Sequence, residues 1–349
     1  LPSVSFAQTT YTSSADGDWN SDATWSGSGW PLAGDIAQIR GGFTVTVNTP
    51  DAACSSLKIG GDITNNNTGT LGFATSGNPS LTVSGNVQVG GDGNVVRKGT
   101  ITFQSGSTLT AGSVTIGGVG VSPAPGVITM QFGGTMKTAS LILGAGTATW
   151  APGLGTVELT ATNTIPGTIY TSFYNLIING GTTTIDAAKS ILPGGKLLLT
   201  NGTLAAGNFL SMSTTSLITR SEGSMTGTLQ GLERYNVLYT GNSKTTGPEL
   251  GVSGTNIQGL NNLTVSLASG QTLTLDQSRA PDGDLSITSG TFNLSTFTIN
   301  RSSSGGMISI SNDSKLRIGG TNPAPSGYSS RLYGTTSTVE YYGGAQSLG

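Results

Sequence analysis

Short apolar runs separated by turn residues fill the chain, and residues 173–212 show the pattern most clearly. The apolar runs in this segment have strand length and lie at residues 176–178, 197–199 and 209–212. Between them stand Asn-Gly, Gly-Gly and Pro-Gly pairs, which are typical of turns because these residues tolerate or impose the required backbone angles. No apolar pattern with a 3.6-residue period lasts two turns, so strands are predicted. We expect Ile178 and Leu198 to lie in the core.

The same order of features returns along the chain with a period of roughly 88 residues. The pair Asn175-Leu176 recurs as Asn262-Leu263, 87 residues later, and the sequence TNGTL at 200–204 recurs as TSGTF at 288–292. A unit of this length is too long for one solenoid coil and indicates several coils of about 20–25 residues each. The predicted fold is therefore all-β, a right-handed parallel β-helix, or β-solenoid.

The first half of the chain shows the same short strands at fairly even spacing. Residues 43–47 alternate apolar and polar positions, which predicts a strand with one buried face. Even spacing also fits an all-β sandwich, but the internal copies favour the solenoid. Loop insertions that project from the coils are predicted at residues 65–67, 119–126 and 321–327.

Three of the four tryptophans, Trp19, Trp25 and Trp30, fall within twelve residues near the N-terminus. An open solenoid end exposes unpaired backbone and apolar core, so we interpret these tryptophans as a structural cap. The alternative interpretation is a platform on which sugar rings stack. The predicted organisation is a signal-peptide-like remnant at 1–8, the cap at 9–33, a first part of the β-helix at 34–150, and the repeat units at 151–349, which we expect to continue beyond this sequence.

Composition narrows the classes of function. Only 9% of residues are charged and the net charge is −2, so no basic surface for nucleic acid is expected. No apolar run approaches the ~20 residues that span a bilayer. The single cysteine, Cys54, excludes an intrachain disulfide and is expected in the core, and the chain has no histidine, the commonest general base. Ser5 and Ala7 stand where small residues precede a signal-peptidase cleavage site, which predicts export.

Two sets of motifs resemble known secreted proteins. The sequences DWNSDATWSG at 18–27, PLAGD at 31–35 and TVTV at 44–47 resemble the opening of many bacterial right-handed parallel β-helix proteins. The sequences TVEYYGGAQS at 338–347 and NGTL at 201–204 resemble repeats in very large surface proteins of Bacteroidota. The resemblance implies export through the outer membrane by type IX secretion, an extracellular location at the cell surface, partners for secretion and surface anchoring, and an adhesin role such as gliding motility.

Candidate chemistry is sparse. Polysaccharide-active enzymes with this fold would need clustered acids, and the closest sets are the Asp-Gly-Asp turns at Asp16/Asp18 and Asp282/Asp284. Both have the composition of ordinary turns, although calcium binding at either pair stays open. No catalytic residue, metal site or cofactor is predicted.

Threonine pairs of the form Thr-x-Thr are a second candidate feature. A flat array of such pairs on one face could order water and bind ice, but threonine is also a common residue on solvated strands. The pairs are unevenly spaced along the sequence, which argues against an array, and they lie at Thr44/Thr46, Thr100/Thr102, Thr108/Thr110, Thr272/Thr274 and Thr296/Thr298.

The sequence therefore predicts a non-enzymatic cell-surface adhesin or filament stalk, a rigid extracellular spacer that presents binding loops or distal domains. Two alternatives from other classes stay open. One is a carbohydrate-binding β-helix module that recognises surface glycans, and the other is a β-helix enzyme acting on polysaccharides.

Overall fold

The structure is a computed structural model that describes residues 8–61, 67–93, 96–231, 233–251 and 259–346. The described chain is almost entirely β, with two short 3₁₀ turns at Asp22–Thr24 and Pro248–Leu250. Its parallel sheets stack as a β-solenoid of about 14 turns, which confirms the predicted fold class. It divides into two compact units, Leu1–Tyr174 and Asn175–Gly349.

The strands of the first unit are short. In chain order they are β1 (Thr10–Thr12), β2 (Gly17–Asp18), β3 (Ile36–Ile39), β4 (Thr44–Val47), β5 (Ala52–Cys54), β6 (Ser56–Ile59), β7 (Gly69–Phe73), β8 (Ser80–Val89), β9 (Gly99–Thr102), β10 (Thr108–Ile116), β11 (Gly126–Thr129), β12 (Thr135–Leu143), β13 (Ala148–Ala151), β14 (Thr156–Leu159) and β15 (Asn163–Ile165). The division between the units falls within β16 (Ser172–Ile185).

The second unit continues with one long strand and many short ones. They are β17 (Lys189–Ala205), β18 (Leu210–Met212), β19 (Leu217–Arg220), β20 (Ser224–Thr226), β21 (Leu229–Gln230), β22 (Tyr235–Gly241), β23 (Lys244–Thr245), β24 (Leu260–Leu267), β25 (Thr272–Thr274), β26 (Leu285–Ser289), β27 (Thr291–Asn293), β28 (Gly305–Ile310), β29 (Lys315–Ile318), β30 (Tyr328–Tyr333) and β31 (Thr338–Tyr341).

Every ladder between these strands whose register is described is parallel, so each strand pairs with its equivalent in the next coil. In the first unit, β2, β4, β7, β9, β11 and β13 form a six-stranded sheet, and β1, β3, β6, β8, β10, β12 and β14 pair in that order. In the second unit, β23, β25, β27, β29 and β31 form a five-stranded sheet, while β19, β22, β24, β26, β28 and β30 pair in order.

The period-two pattern decides which side chains form the core. Inward positions of the six-stranded sheet align as Val45, Leu71, Ile101 and Ile128, all fully buried. Burying a side chain of this size contributes roughly 1.5–3 kcal/mol to stability. Stacked columns of such residues are therefore the main favourable term in the fold.

The same alternation corrects one expected core residue. Ile178 is fully buried, as predicted. Leu197 and Leu199 are also fully buried, whereas Leu198, which was predicted in the core, lies between them on the opposite face and is half-buried. Three consecutive leucines cannot all point inward, because successive side chains of a strand point to opposite faces.

The predicted turns at the Gly-containing pairs are also corrected. β16 runs through Gly180-Gly181 and β17 runs through Gly194 and Gly202 without a break. These glycines form bends, with positive φ of 57° at Gly181 and 72° at Gly194. A Cβ at Gly202 would lie 2.7 Å from the carbonyl oxygen of Gly181, so the bends pack closely against each other. Stacked bends keep the backbone ladder intact, which is why they are strand rather than loop.

The segment predicted as a cap is the first coil of the stack. β1 pairs with β3 from Thr10↔Ile36 to Thr12↔Gln38, and β2 pairs with β4. The residues predicted to form a cap therefore form the first coil, which pairs with the next coil through both strands.

Other predictions are only partly within the described chain. Residues 1–7 of the signal-like segment and 65–66 of one predicted loop insertion lie outside the described residues. The insertion at 119–126 projects outward, because Val121 is completely exposed. No helix in the described chain is long and apolar enough to cross a membrane.

Candidate functional site

Two of the three predicted cap tryptophans lie inside the first coil. Trp19 and Trp25 are buried and meet edge to face, with ring centroids 5.2 Å apart and planes at 76°. The Trp25 indole nitrogen donates to the Trp19 carbonyl oxygen at 2.7 Å, and that of Trp19 donates to the Pro31 carbonyl oxygen at 3.3 Å. Both polar N–H groups are therefore satisfied, and these buried rings hold the coil together.

Trp30 differs because 38% of its surface is exposed. It borders a cleft of about 310 Å³ between the first coil and the turn that follows β4. The lining residues are Trp19, Asn20, Trp30, Pro31, Leu32, Thr49, Asp51, Ala52 and Ala53. The structure thus separates the predicted cluster into two core rings and one ring at a surface cleft.

The cleft combines apolar and polar groups. Trp30 and the exposed Leu32 supply apolar surface, and Asn20, Thr49 and Asp51 supply polar atoms. The Thr49 hydroxyl donates to the Asp51 carboxylate. An aromatic wall with a few converging polar groups is the usual composition of a small-molecule site. An exposed indole also presents a flat face suited to the C–H face of a sugar ring.

Each aspartate pair from the sequence makes contacts within the protein. Asp16 accepts the Thr44 backbone N–H at 2.6 Å, and Asp18 is exposed. Asp282 lies 3.3 Å from the Arg234 guanidinium, and Asp284 accepts the Met307 backbone N–H at 2.8 Å. The contacts of Asp16 and Asp284 join neighbouring coils, and that of Asp282 reaches past the coil that contains β24. Within the described residues, no group of three or more His, Cys, Asp or Glu side chains is arranged to hold a metal ion.

A buried ionic network in the second unit was not anticipated from the sequence. The Glu249 side chain has no exposed surface, and its Oε1 lies 2.5 Å from Arg220 Nη1 and 2.6 Å from the Tyr239 hydroxyl. The Tyr235 hydroxyl donates to the Glu249 carbonyl oxygen at 3.2 Å. The 3₁₀ turn Pro248–Leu250 is thereby held against the inner face of β22.

A second buried cation completes this network. Arg279 is fully buried, and its Nη2 lies 2.8 Å from Asp276 Oδ1 and 3.0 Å from the Gly247 carbonyl oxygen. Its Nη1 donates to the Gly251 carbonyl oxygen. Two cations and two carboxylates therefore balance in charge. Because Arg220, Glu249 and Arg279 come from three different coils, no sequence motif marks the network.

The electrostatics of this network show how strongly it is desolvated. Burial is the main cause that raises the pKa of Tyr239 well above its usual value, and the neighbouring Glu249 carboxylate raises it further. Burial alone would lower the pKa of Arg220, but the charge and hydrogen bond of Glu249 raise it overall. The tyrosine stays neutral and the arginine charged, which is the arrangement expected of a structural ion pair.

Cys54 has no free surface for reaction. It is buried in β5, and burial, with a smaller contribution from the charge of Asp35, raises the pKa of its thiol to about 12. A thiol in this state is not a nucleophile at neutral pH.

Comparison with known proteins identified no relative of this chain. No family model matches the chain, and neither a curated protein nor a solved structure shows significant similarity to it. The functional argument therefore depends on the geometry of the chain itself.

Proposed function

We propose that this chain is a non-enzymatic segment of an extracellular surface protein, an adhesin or filament stalk that acts as a spacer. The observation that carries the proposal is the construction of each unit. Parallel ladders connect each coil to the next in described register, so that hydrogen bonds and stacked apolar columns run along the stack. Such a stack resists bending and offers outward surfaces and loops for contact.

The chemistry of the acidic residues supports a non-enzymatic role. The coil-joining contacts of Asp16, Asp282 and Asp284 use carboxylates that a glycoside hydrolase or lyase would need free. Glu249 is fully buried between an arginine and a tyrosine. These four acids therefore have structural partners.

The surface location is proposed from the resemblance of the opening and repeat motifs to large secreted proteins of Bacteroidota. On this proposal the protein leaves the cell by type IX secretion, and its partners are secretion and surface-anchoring proteins. Mass spectrometry of protein released from intact cells by a protease tests the proposal. Peptides from residues 8–346 should appear in the released fraction, and their recovery only after lysis would contradict it.

A second candidate function is carbohydrate binding at the Trp30 cleft, favoured by the exposed indole beside Asn20 and Asp51. Replacing Trp30 by Ala should abolish glycan binding if stacking on the indole supplies the affinity. Phe132→Ala is the matched control, because Phe132 is another exposed aromatic residue of the same unit outside the cleft. Equal signals from both variants on a glycan array would remove this candidate.

A further inference from the structure

The outward face of the six-stranded sheet carries two aligned columns of threonine and other small uncharged residues. The first column, read from coil to coil, is Thr44, Thr70, Thr100, Val127 and Thr149. The second column is Thr46, Gly72, Thr102, Thr129 and Ala151. These positions alternate with the buried inward column, so their side chains point away from the core.

The register gives the array two fixed repeats. Along a column, neighbouring residues are directly paired, so their spacing is that of adjacent strands, about 4.7–4.9 Å. Within one strand, the two threonines of a Thr-x-Thr pair are two residues apart, or about 6.6 Å. Of the five Thr-x-Thr pairs in the sequence, Thr44/Thr46 and Thr100/Thr102 lie on this face, and Thr70 of the strand between them is in register with Thr44 and Thr100. The other three pairs do not belong to the array, since Thr108/Thr110 lies in β10, Thr272/Thr274 lies in β25, and Thr296/Thr298 lies outside the strands.

Charge is confined to the edges of this face. None of the ten positions in the two columns carries a charge, but β2 at the end of the sheet places the exposed Asp18 in register with Thr46, and Lys98 is one residue outside β9. The equivalent outward columns of the five-stranded sheet contain Lys315, Arg317 and Glu340. Threonine is stiff at χ1, so its hydroxyl and methyl are held in position before any ligand arrives. An uncharged ligand suits this face better than an ionic one.

A ligand that matches this face must itself repeat in two directions and accept hydroxyl and methyl groups together. Oxygen atoms on the surface of an ice crystal repeat at distances close to both spacings of the array, and ice carries no net charge. Sugar polymers are a poorer match, because neither column contains an aromatic ring. We propose that the six-stranded sheet binds ice through these two columns.

Ice-affinity partitioning and ice-recrystallisation inhibition by the purified full chain test the proposal. The unmodified protein should enter a slowly growing ice phase and keep ice grains small. Thr102→Tyr should lose both effects, because a bulky ring in the middle of the second column prevents flat contact. Thr291→Tyr is the matched control on the outward face of the five-stranded sheet and should behave like the unmodified protein.

Thermal unfolding followed by circular dichroism separates a binding defect from a folding defect. We expect both tyrosine variants to unfold within a few degrees of the unmodified chain, since tyrosine is favourable in strands. A protein excluded from ice, or one whose Thr102→Tyr variant still enters it, would overturn the proposal. Pull-down by crystalline cellulose or chitin, with no effect on ice, would also overturn it and indicate a polysaccharide ligand instead.

Discussion

The six-stranded sheet of the first unit and the five-stranded sheet of the second share one backbone design and differ in what they present outward. Both are parallel and have buried apolar columns, with Ile101 among those in the first and Leu273 and Phe292 in the second. The outward columns are threonine-rich in the six-stranded sheet. In the five-stranded sheet, Glu340 contacts both Lys315, at 3.3 Å, and Arg317, at 3.1 Å.

This difference shows that core packing restricts the inward face of a coil much more than it restricts the outward face. The inward face is mostly apolar, because burial of apolar side chains between stacked coils is the main stabilising term. The outward face contributes little to the stack, so its chemistry is free to specialise. The outward face of the five-stranded sheet, for example, carries a cation–π contact, with the Arg317 guanidinium 4.3 Å from the centre of the Tyr342 ring. The surface functions proposed above, at the Trp30 cleft and on the threonine columns, both lie on outward positions of the first unit.

The interiors differ too. The first coil is filled by an edge-to-face tryptophan pair, whereas the interior of the second unit includes the ion pair between Arg220 and Glu249. Burying an ion pair carries a large desolvation cost, so its value lies in fixing one arrangement of the 3₁₀ turn Pro248–Leu250.

The largest expected effect comes from placing a charge in either inward column. Ile101→Asp and Phe292→Asp should each destabilise the protein by more than about 4 kcal/mol, because an unpaired carboxylate would be buried. Guanidinium unfolding curves measure this. The outward neighbours Thr100→Asp and Thr291→Asp are the matched controls and should change stability by about 0.5 kcal/mol or less. If either inward aspartate variant were as stable as the unmodified protein, the two sheets would not share a buried apolar column.

The next largest effect concerns the buried network of the second unit. Glu249→Ala should cost about 3–5 kcal/mol, because it leaves the Arg220 charge without its partner in a desolvated site. Urea unfolding followed by far-ultraviolet circular dichroism measures the loss. Glu340→Ala is the control in the five-stranded sheet, where the carboxylate is 34% exposed, and should cost far less because solvent screens its ion pairs. Equal costs would show that the Glu249 site is solvated.

A moderate effect should appear as a pH dependence of the first unit. Burial alone would raise the pKa of Asp92, but hydrogen bonds from Lys58, the Val119 N–H and Gln88 lower it overall, below the ordinary value of 3.8. The stabilisation from Asp92 is therefore complete above that ordinary value and is lost as the pH falls through the lower folded pKa.

Tryptophan fluorescence measures this effect selectively, because all four tryptophans lie in the first unit. Midpoints of chemical unfolding should decrease between about pH 4 and pH 2, and Asp92→Asn should reduce that dependence. An unchanged pH profile in the variant would show that the contact between Lys58 and Asp92 adds nothing to stability.

The smallest expected effect is that of Leu198→Asp, in the middle of the three consecutive leucines of β17. Leu198→Asp should cost about 1 kcal/mol or less, since the side chain lies on the outward face, whereas Leu199→Asp should cost more than about 4 kcal/mol. Differential scanning calorimetry of the two variants compares them directly. A larger loss in Leu198→Asp than in Leu199→Asp would reverse the assigned register.

The sequence predicted the strands well because period-two alternation is local. Residues 43–47 were predicted as a strand with one buried face, and Thr44–Val47 is β4 with that alternation. The bends were harder to predict from the sequence. Gly194 is part of a strand only because another coil stacks against it. The threonine columns and the Glu249 network could not be predicted from the sequence for the same reason, since both form only when coils stack. Arg220 and Glu249 are 29 residues apart, and only the stacking of the coils brings such positions together.

Protease accessibility on intact producing cells tests the central claim most directly, namely that this chain is a surface spacer outside the cell. An antibody raised against the purified chain would follow its loss after brief protease treatment, with a cytoplasmic protein as the control for lysis. We predict that the chain is removed from intact cells while the control protein is spared. Protection of the chain until the cells are lysed would contradict the account.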